Sequence, residues 1–217
     1  MAVLAEVAVL GETREGDKDV ANDDGGALQQ AGRGAPTGAS STTPADLARI
    51  FGEVRTARLV LRRPHAGDGP AVFRVHGDPE TNRYSPHGPH ADLAASEETL
   101  RMWLRRWEED GYGYWTVTLP PEGEIIGFGG VRRFAWRDRD VLNLYYRFTP
   151  SAWGRGYAAE MARTAVELAR AHVPGLPVVA RTRPPNVPSI RTAERSGLVR
   201  RPDLDTAEHV VYALRWP

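Results

Sequence analysis

A chain of 217 residues is long enough for one domain with an extension, or for two small domains. It has no cysteine, which excludes a disulfide scaffold, thiolate metal sites and a cysteine nucleophile, and fits a reducing compartment. Formal net charge is zero but unevenly placed: residues 1–55 hold nine acids and five bases, residues 56–217 hold 19 acids and 23 bases. So small a basic excess gives no argument for a nucleic-acid partner.

Residues 1–10 are apolar but include Glu6, lack a basic leader and are too short to span a bilayer, so they read as neither signal nor anchor. No 18-residue apolar run follows, and a cytoplasmic protein without membrane attachment is expected. Residues 11–46 are rich in Gly, Ala, Asp, Ser, Thr and Pro, with almost no large apolar side chains. That composition buries too little surface to offset chain entropy. The expected organisation is a disordered extension over 1–55, with a short helix at 46–51, followed by one domain over 56–217.

Thr56 to Arg62 alternate in polarity and read as the first strand. Ala71 to His76 begin a helix, and the Pro- and Gly-containing residues 85–95 read as a loop. His87 and His90 in that loop have no acid-and-histidine set to complete a metal site, so they read as exposed loop histidines and no metal is expected. Ser96 is expected to cap a second helix whose buried face holds Leu100, Trp103, Leu104 and Trp107, with Gly111 ending it. That tryptophan stripe reads first as core and second as a stacking platform. Three antiparallel strands are then expected, at Tyr114–Leu119, Glu124–Val131 and Val141–Phe148. Gly127, Gly129 and Gly130 fall inside the second of these, where glycine marks a bulge or a close ligand approach.

Ser151-Ala152-Trp153-Gly154-Arg155-Gly156-Tyr157-Ala158-Ala159-Glu160 follows, and opens an amphipathic helix reaching His172. A strand that passes through a glycine turn into a helix aims free backbone N–H groups, and the positive end of the helix dipole, at one point. Such a turn suits a phosphate or pyrophosphate. A Walker loop is excluded, because no lysine and hydroxyl follow Gly156 at the required spacing. Gly154-x-Gly156-x-x-Ala159 fits the short dinucleotide pattern, but it lies late in the chain and no acidic residue ends the next strand. An acyl-CoA pyrophosphate loop and a plain helix-capping turn both stay open. Beyond the helix come a strand at Pro177–Thr182, a short helix from Asn186 stopped by Gly197, and a closing strand at His209–Trp216.

Taken together, the first strand, Asp78-Pro79-Glu80 with Arg83-Tyr84, Ile126-Gly127 with Gly130, the Trp153 loop and Asn186-x-x-Ser189-Ile190 with Glu194 and Gly197 occur in one order. In that order they resemble the GCN5-related N-acetyltransferases (GNAT), in their ribosomal-protein N-terminal, RimJ/RimL-like branch. The resemblance covers residues 56–216 and implies an α+β fold. Its mixed, mostly antiparallel sheet of six to seven strands splays open between strands 4 and 5, with about four flanking helices. It implies acetyl-CoA as co-substrate and a primary-amine acceptor, either a protein N-terminus or a small molecule, in a monomer or homodimer. The cofactor-binding set it implies is Phe148, Thr149, Trp153, Gly154, Arg155, Gly156, Tyr157, Ala158, Ala159, Asn186, Ser189 and Arg191.

The chemistry needs an uncharged amine, a donor to the developing oxyanion and a proton for the departing thiolate. The resemblance places the oxyanion donor in the backbone near Phe148 and Thr149. Many relatives carry a tyrosine acid seven residues after the motif asparagine, and here Ala193 stands there. The ribosomal-protein branch uses the serine three residues after it, which here is Ser189; Asn186 resembles the residue that holds the pantetheine. Ser189 reads equally as a hydroxyl that stabilises the first helical turn. Asn143 stands where relatives often carry an acid, and Ser151 stands where they carry Gln or Arg. Glu160 reads as a dipole partner before it reads as a base. An acetyl-CoA-binding module without turnover is the alternative function.

Overall fold

The computed structural model describes residues 42–217 and the backbone of Leu4–Ala5. The remaining expectations for the N-terminal extension fall outside the described residues. Helices are α1 (Pro44–Phe51), α2 (Gly69–His76), α3 (Leu93–Asp110), α4 (Tyr157–His172) and α5 (Val187–Arg195). Strands are β1 (Leu4–Ala5), β2 (Glu53–Arg55), β3 (Val60–Arg62), β4 (Tyr114–Leu119), β5 (Glu124–Trp136), β6 (Arg139–Phe148), β7 (Val178–Thr182), β8 (Val199–Arg200) and β9 (Val210–Leu214). Eight of them form one sheet in the order β2-β3-β4-β5-β6-β7-β9-β8, and β1 pairs with β6 off that path. The α+β class and the mixed, mostly antiparallel sheet agree with the sequence reading.

The domain begins earlier than residue 56. Thr43 caps α1 through a reciprocal pair with Asp46, Phe51 is fully buried, and β2 pairs with β3 from Glu53 to Arg55. The compact unit therefore takes in residues 42–55. Ser96 does not cap α3. Asp92 does, accepting the Ala95 amide at 2.9 Å, while Ser96 is buried one turn in and meets His90 Nδ1 at 2.8 Å. Gly111 ends α3 with φ 76°, a left-handed value that glycine takes without a Cβ clash.

β5 and β6 run longer than expected, joined through a tight turn at Arg137, and they form the spine of the sheet. Alternate residues of β6 face opposite layers. Leu142, Leu144, Tyr146 and Phe148 pack into the core beneath α1 and α4, whereas Tyr145 packs with α2 and α3 residues Val72, Val75, Leu100 and Trp103. The β5 glycines admit their neighbours rather than a ligand. A Cβ on Gly127 would lie 2.6 Å from the Arg147 carbonyl oxygen, and one on Gly129 would strike Met161.

β6 and β7 pair in parallel only at Leu142↔Val178 and Asn143↔Val179. Beyond Asn143 the two strands part, as expected for strands 4 and 5 of the resembled fold. Hydrogen bonds alternate direction along a strand. The Leu142 amide bonds Pro177 O on the β7 side and the Thr149 amide bonds Ile126 O on the β5 side, so the even-numbered amides of β6 turn away from β5. β1 pairs on this edge, with Leu4 opposite Arg147 and Ala5 opposite Tyr146. Among the described residues, no helix is long and apolar enough to cross a membrane.

Candidate active site

A cleft of about 460 Å³ opens where β6 and β7 diverge, at the N-terminus of α4. Its wall includes Phe148, Trp153, Gly154, Gly156, Tyr157, Ala158, Ala159 and Arg191, eight of the residues that the resemblance implies. Gly154 has φ 75° and Gly156, the N-cap of α4, has φ 78°. A Cβ on Gly154 would meet nothing within 4 Å, so the loop is left clear on that side. The first helical bond runs from the Glu160 amide to Gly156 O at 3.0 Å, and the amides of residues 157–159 precede it without helical partners. Those amides and the dipole of a 16-residue helix together suit an anion. Arg195, which the sequence reading missed, lies one turn beyond Arg191 on α5 and joins the wall.

The loop is held from behind by a residue that no motif pointed to. Arg58, in the turn before β3, donates to Arg155 O at 2.8 Å, lies over the Tyr157 ring at 4.9 Å and pairs with Glu160 at 2.6 Å. Glu160 also accepts from Thr56 Oγ1 at 2.7 Å and the Arg58 amide at 2.9 Å. Burial alone would raise the Glu160 carboxyl, but the hydrogen bonds from Thr56 and Arg58 hold it below the usual range. Glu160 thus braces the loop, more than a dipole partner, its carboxylate engaged by Thr56 and Arg58. The Arg155 side chain is exposed and does not line the cleft; its carbonyl carries its role. Arg58→Ala is expected to raise KM for acetyl-CoA about 3- to 10-fold with a smaller change in kcat, because it frees the loop without touching the reacting atoms. Steady-state kinetics at varied acetyl-CoA checks this; an unchanged KM would show that the loop needs no brace.

Thr149 does not supply the oxyanion donor. Its amide and its hydroxyl both turn to Ile126 O, at 2.9 and 3.3 Å. By strand alternation the Phe148 amide faces the open side instead. Trp153 locks the approach to the loop, its Nε1 donating to Phe148 O at 2.9 Å.

Asn186 and Ser189 lie together at the start of α5 and both are buried. Asn186 is the N-cap, its side chain accepting the Ser189 amide at 3.3 Å. The cap is therefore already supplied, and the Ser189 hydroxyl turns elsewhere: its Oγ lies 3.2 Å from the Tyr146 hydroxyl. Tyr146 also donates to Ser189 O at 2.9 Å, and burial pushes its phenol well up, so it stays protonated. Sequence reasoning passed over Tyr146 because strand alternation marks it only as core. Asn143 cannot act as a base; its amide donates to the Tyr114 hydroxyl at 2.8 Å, inside the opposite layer. His87 and His90 separate: His87 is exposed, but His90 stacks on the buried His76 at 4.8 Å. Among the described residues no group of three or more His, Asp or Glu could hold a metal.

A sheet that splays open over a glycine-rich helix N-terminus is the architecture of an acyl-CoA-dependent transferase. Over residues 58–199, well over half its length, the chain matches the family described as an acetyltransferase (GNAT) domain, and it belongs to that family. Among curated relatives, it is 30% identical over 114 residues to the uncharacterized N-acetyltransferase YjgM of Escherichia coli (strain K12). That match takes in 51% of this chain and 65% of the relative, just under two thirds of its length. Among solved structures, it resembles the acetyltransferase from Agrobacterium tumefaciens str. C58 with a TM-score of 0.65 and 28% identity, over 76% of this chain and 94% of that one. It shares its fold with the ribosomal L7/L12 alpha-N-protein acetyltransferase RimL, solved in complex with coenzyme A, at a TM-score of 0.60 and 15% identity. There the coverage is 75% of this chain and 97% of that one.

Proposed function

We propose that this cleft binds acetyl-CoA and directs its acetyl group to a primary amine within a ternary complex. The observation that carries the reading is that the α4 N-terminus and α5, through Pro188, Arg191 and Arg195, wall one cleft, while Asn186 and Ser189 at the start of α5 are buried. Bound there, acetyl-CoA supplies the acetyl thioester. The amides of residues 157–159, with Arg191 and Arg195, hold the pyrophosphate, and the backbone groups of Tyr146 and Phe148 on the open edge of β6 align the pantetheine arm. The Phe148 amide donates toward the thioester oxygen. As the amine adds and the C–S bond breaks, Ser189 gives its hydroxyl proton to the departing thiolate. It regains the proton lost by the acylated nitrogen, with the Tyr146 hydroxyl beside it. An intact loop beside a buried, hydrogen-bonded Ser189–Tyr146 pair favours turnover over an inert binding module.

The acceptor is proposed as a protein N-terminus or a small amine, on the RimJ/RimL-like pattern of the Trp153 loop and the Asn186/Ser189 turn, in a cytoplasmic monomer or homodimer. Mass spectrometry of a lysate incubated with the protein and isotopically labelled acetyl-CoA tests this reading. Label on N-terminal amines or small primary amines supports it; label confined to hydroxyls or thiols contradicts it.

β1 occupies the same β6 edge that the pantetheine arm needs, so the two are alternatives. Protein starting at Thr42 is expected to keep kcat within about twofold and to bind acetyl-CoA at least as tightly as the full chain. Calorimetry and kinetics on the two lengths check this. Weaker binding by the shorter protein would give the extension a supporting role instead.

A further inference from the structure

The layer opposite the loop carries two buried arginines whose charge the described fold leaves without an acid. Arg147, on β6, is 6% exposed. Its Nη1 donates to Asn82 Oδ1, and its Nε is buried with no hydrogen-bond partner. Arg132, on β5, is 7% exposed; its Nε donates to the Tyr114 hydroxyl at 3.0 Å, and its guanidinium lies over Tyr114 and Phe134 at 5.6 and 5.3 Å. Neither arginine has a carboxylate within ion-pair distance among the described residues. A buried cation without a counter-charge costs several kcal/mol.

The surrounding groups do not offset that charge. Asn143 is neutral and bound to Tyr114. Asp78 spends its Oδ1 on the amides of Glu80 and Thr81. His76 and His90 are held below the usual imidazole range, first by burial and then by Arg147 itself, so both are neutral near pH 7. His76 turns its Nε2 to the Tyr145 hydroxyl at 3.0 Å. Arg147 shares a face of β6 with Asn143 and Tyr145, just past the point where β6 and β7 part. The cleft at α4 lies on the other face, which leaves the face of Tyr145 and Arg147 unclaimed by acetyl-CoA.

We propose that the acceptor carries a carboxylate close to its amine, and that Arg147 receives that carboxylate while the amine reaches the thioester beside Tyr145. This rests on the acetyl-transfer reading above. A guanidinium fork matches a carboxylate geometrically, and the unpartnered Nε is one of its donors. The same layer repels a polycationic acceptor. A free amino acid, or an acidic side chain next to a protein N-terminus, presents the same group.

The test compares kcat/KM for glycine, β-alanine and 4-aminobutanoate with their amides, and for peptides with aspartate or asparagine in second place. It is run on wild type, Arg147→Gln and Arg147→Lys. The acid-to-amide ratio, taken variant against wild type, cancels the intrinsic basicity of each amine. Arg147→Gln is expected to lower that ratio about 10- to 100-fold, as for a lost hydrogen bond to a charged group, and Arg147→Lys to recover part of it. Acetyl-CoA affinity, on the far face, should stay near the wild-type value. The small acids and the peptides separate the two sources of carboxylate. A second arm needs neither turnover nor a variant: at fixed ionic strength, butanoate should raise the wild-type melting temperature and butanamide should not. Equal ratios in wild type and Arg147→Gln would overturn the proposal, as would a butanoate shift no larger than that of chloride. Absence of CoA release with every acceptor would instead overturn the acetyl-transfer reading, leaving the butanoate arm to decide on Arg147.

Discussion

Ser189→Ala is expected to lower turnover by roughly 10- to 100-fold or more while acetyl-CoA affinity changes little. The substitution keeps the side-chain volume close and removes one hydroxyl. That hydroxyl is not the cap of α5, since Asn186 already accepts the Ser189 amide, so the helix should keep its start. What is lost is the oxygen 3.2 Å from the Tyr146 hydroxyl, and with it the proposed path for a proton to the thiolate. Tyr146→Phe separates relay from simple packing. If the two hydroxyls act in series, the double variant should lose no more turnover than the worse single one. A fall in melting temperature with turnover intact would assign Ser189 to the stability of the turn, and the acid role would be withdrawn.

Gly156→Val is expected to weaken acetyl-CoA binding by at least about tenfold. The position has φ 78°, where a β-branched residue is strained whatever the space around it. A Cβ there would lie 3.5 Å from Arg58 Nη2, so the larger branches press on the brace that holds the loop. Gly156→Ala serves as the milder comparison, adding the backbone strain with far less bulk. Calorimetry on folded protein reads the effect, with circular dichroism confirming the fold. Unchanged affinity in folded Gly156→Val would place the pyrophosphate somewhere other than this turn.

Much of this architecture was legible in the residues because local rules and tertiary demands agree. The α4 helix shows its apolar stripe, its glycine turn and its acidic first turn in sequence; the stripe packs into the core, the turn lines the cleft and Glu160 meets Thr56 and Arg58. Gly111 as a stop follows from backbone chemistry alone. The misreadings occur where a distant contact overrides a local rule. Ser96 has a capping side chain, yet His90 draws it inward and Asp92 takes the start of α3. Thr149 looks available at a strand end, but Ile126 across the hairpin takes its amide. Residues 42–55 look like tail by composition, and only the burial of Phe51 against Tyr112 and Trp115 shows that they belong to the core.

Residues such as Arg58, Tyr146 and Arg147 carry no motif at all. Arg58 acts across 97 positions to reach Arg155, which no spacing rule reports. Tyr146 and Arg147 are adjacent in sequence and serve opposite faces of one strand, one toward Ser189 and the other toward Asn82. Their roles depend on where β6 and β7 separate, and that point is set by pairing between distant segments.

The most direct test of acetyl transfer at this cleft is the release of free CoA thiol from acetyl-CoA, followed continuously with the purified full chain and a panel of primary amines. Amine-dependent release is predicted to saturate in both substrates, to fall with Ser189→Ala and to match the appearance of N-acetylated product mole for mole. Acetyl-CoA binding at the cleft with no release above the amine-free rate, for any amine in the panel, would contradict the account and leave an acetyl-CoA-binding module in its place.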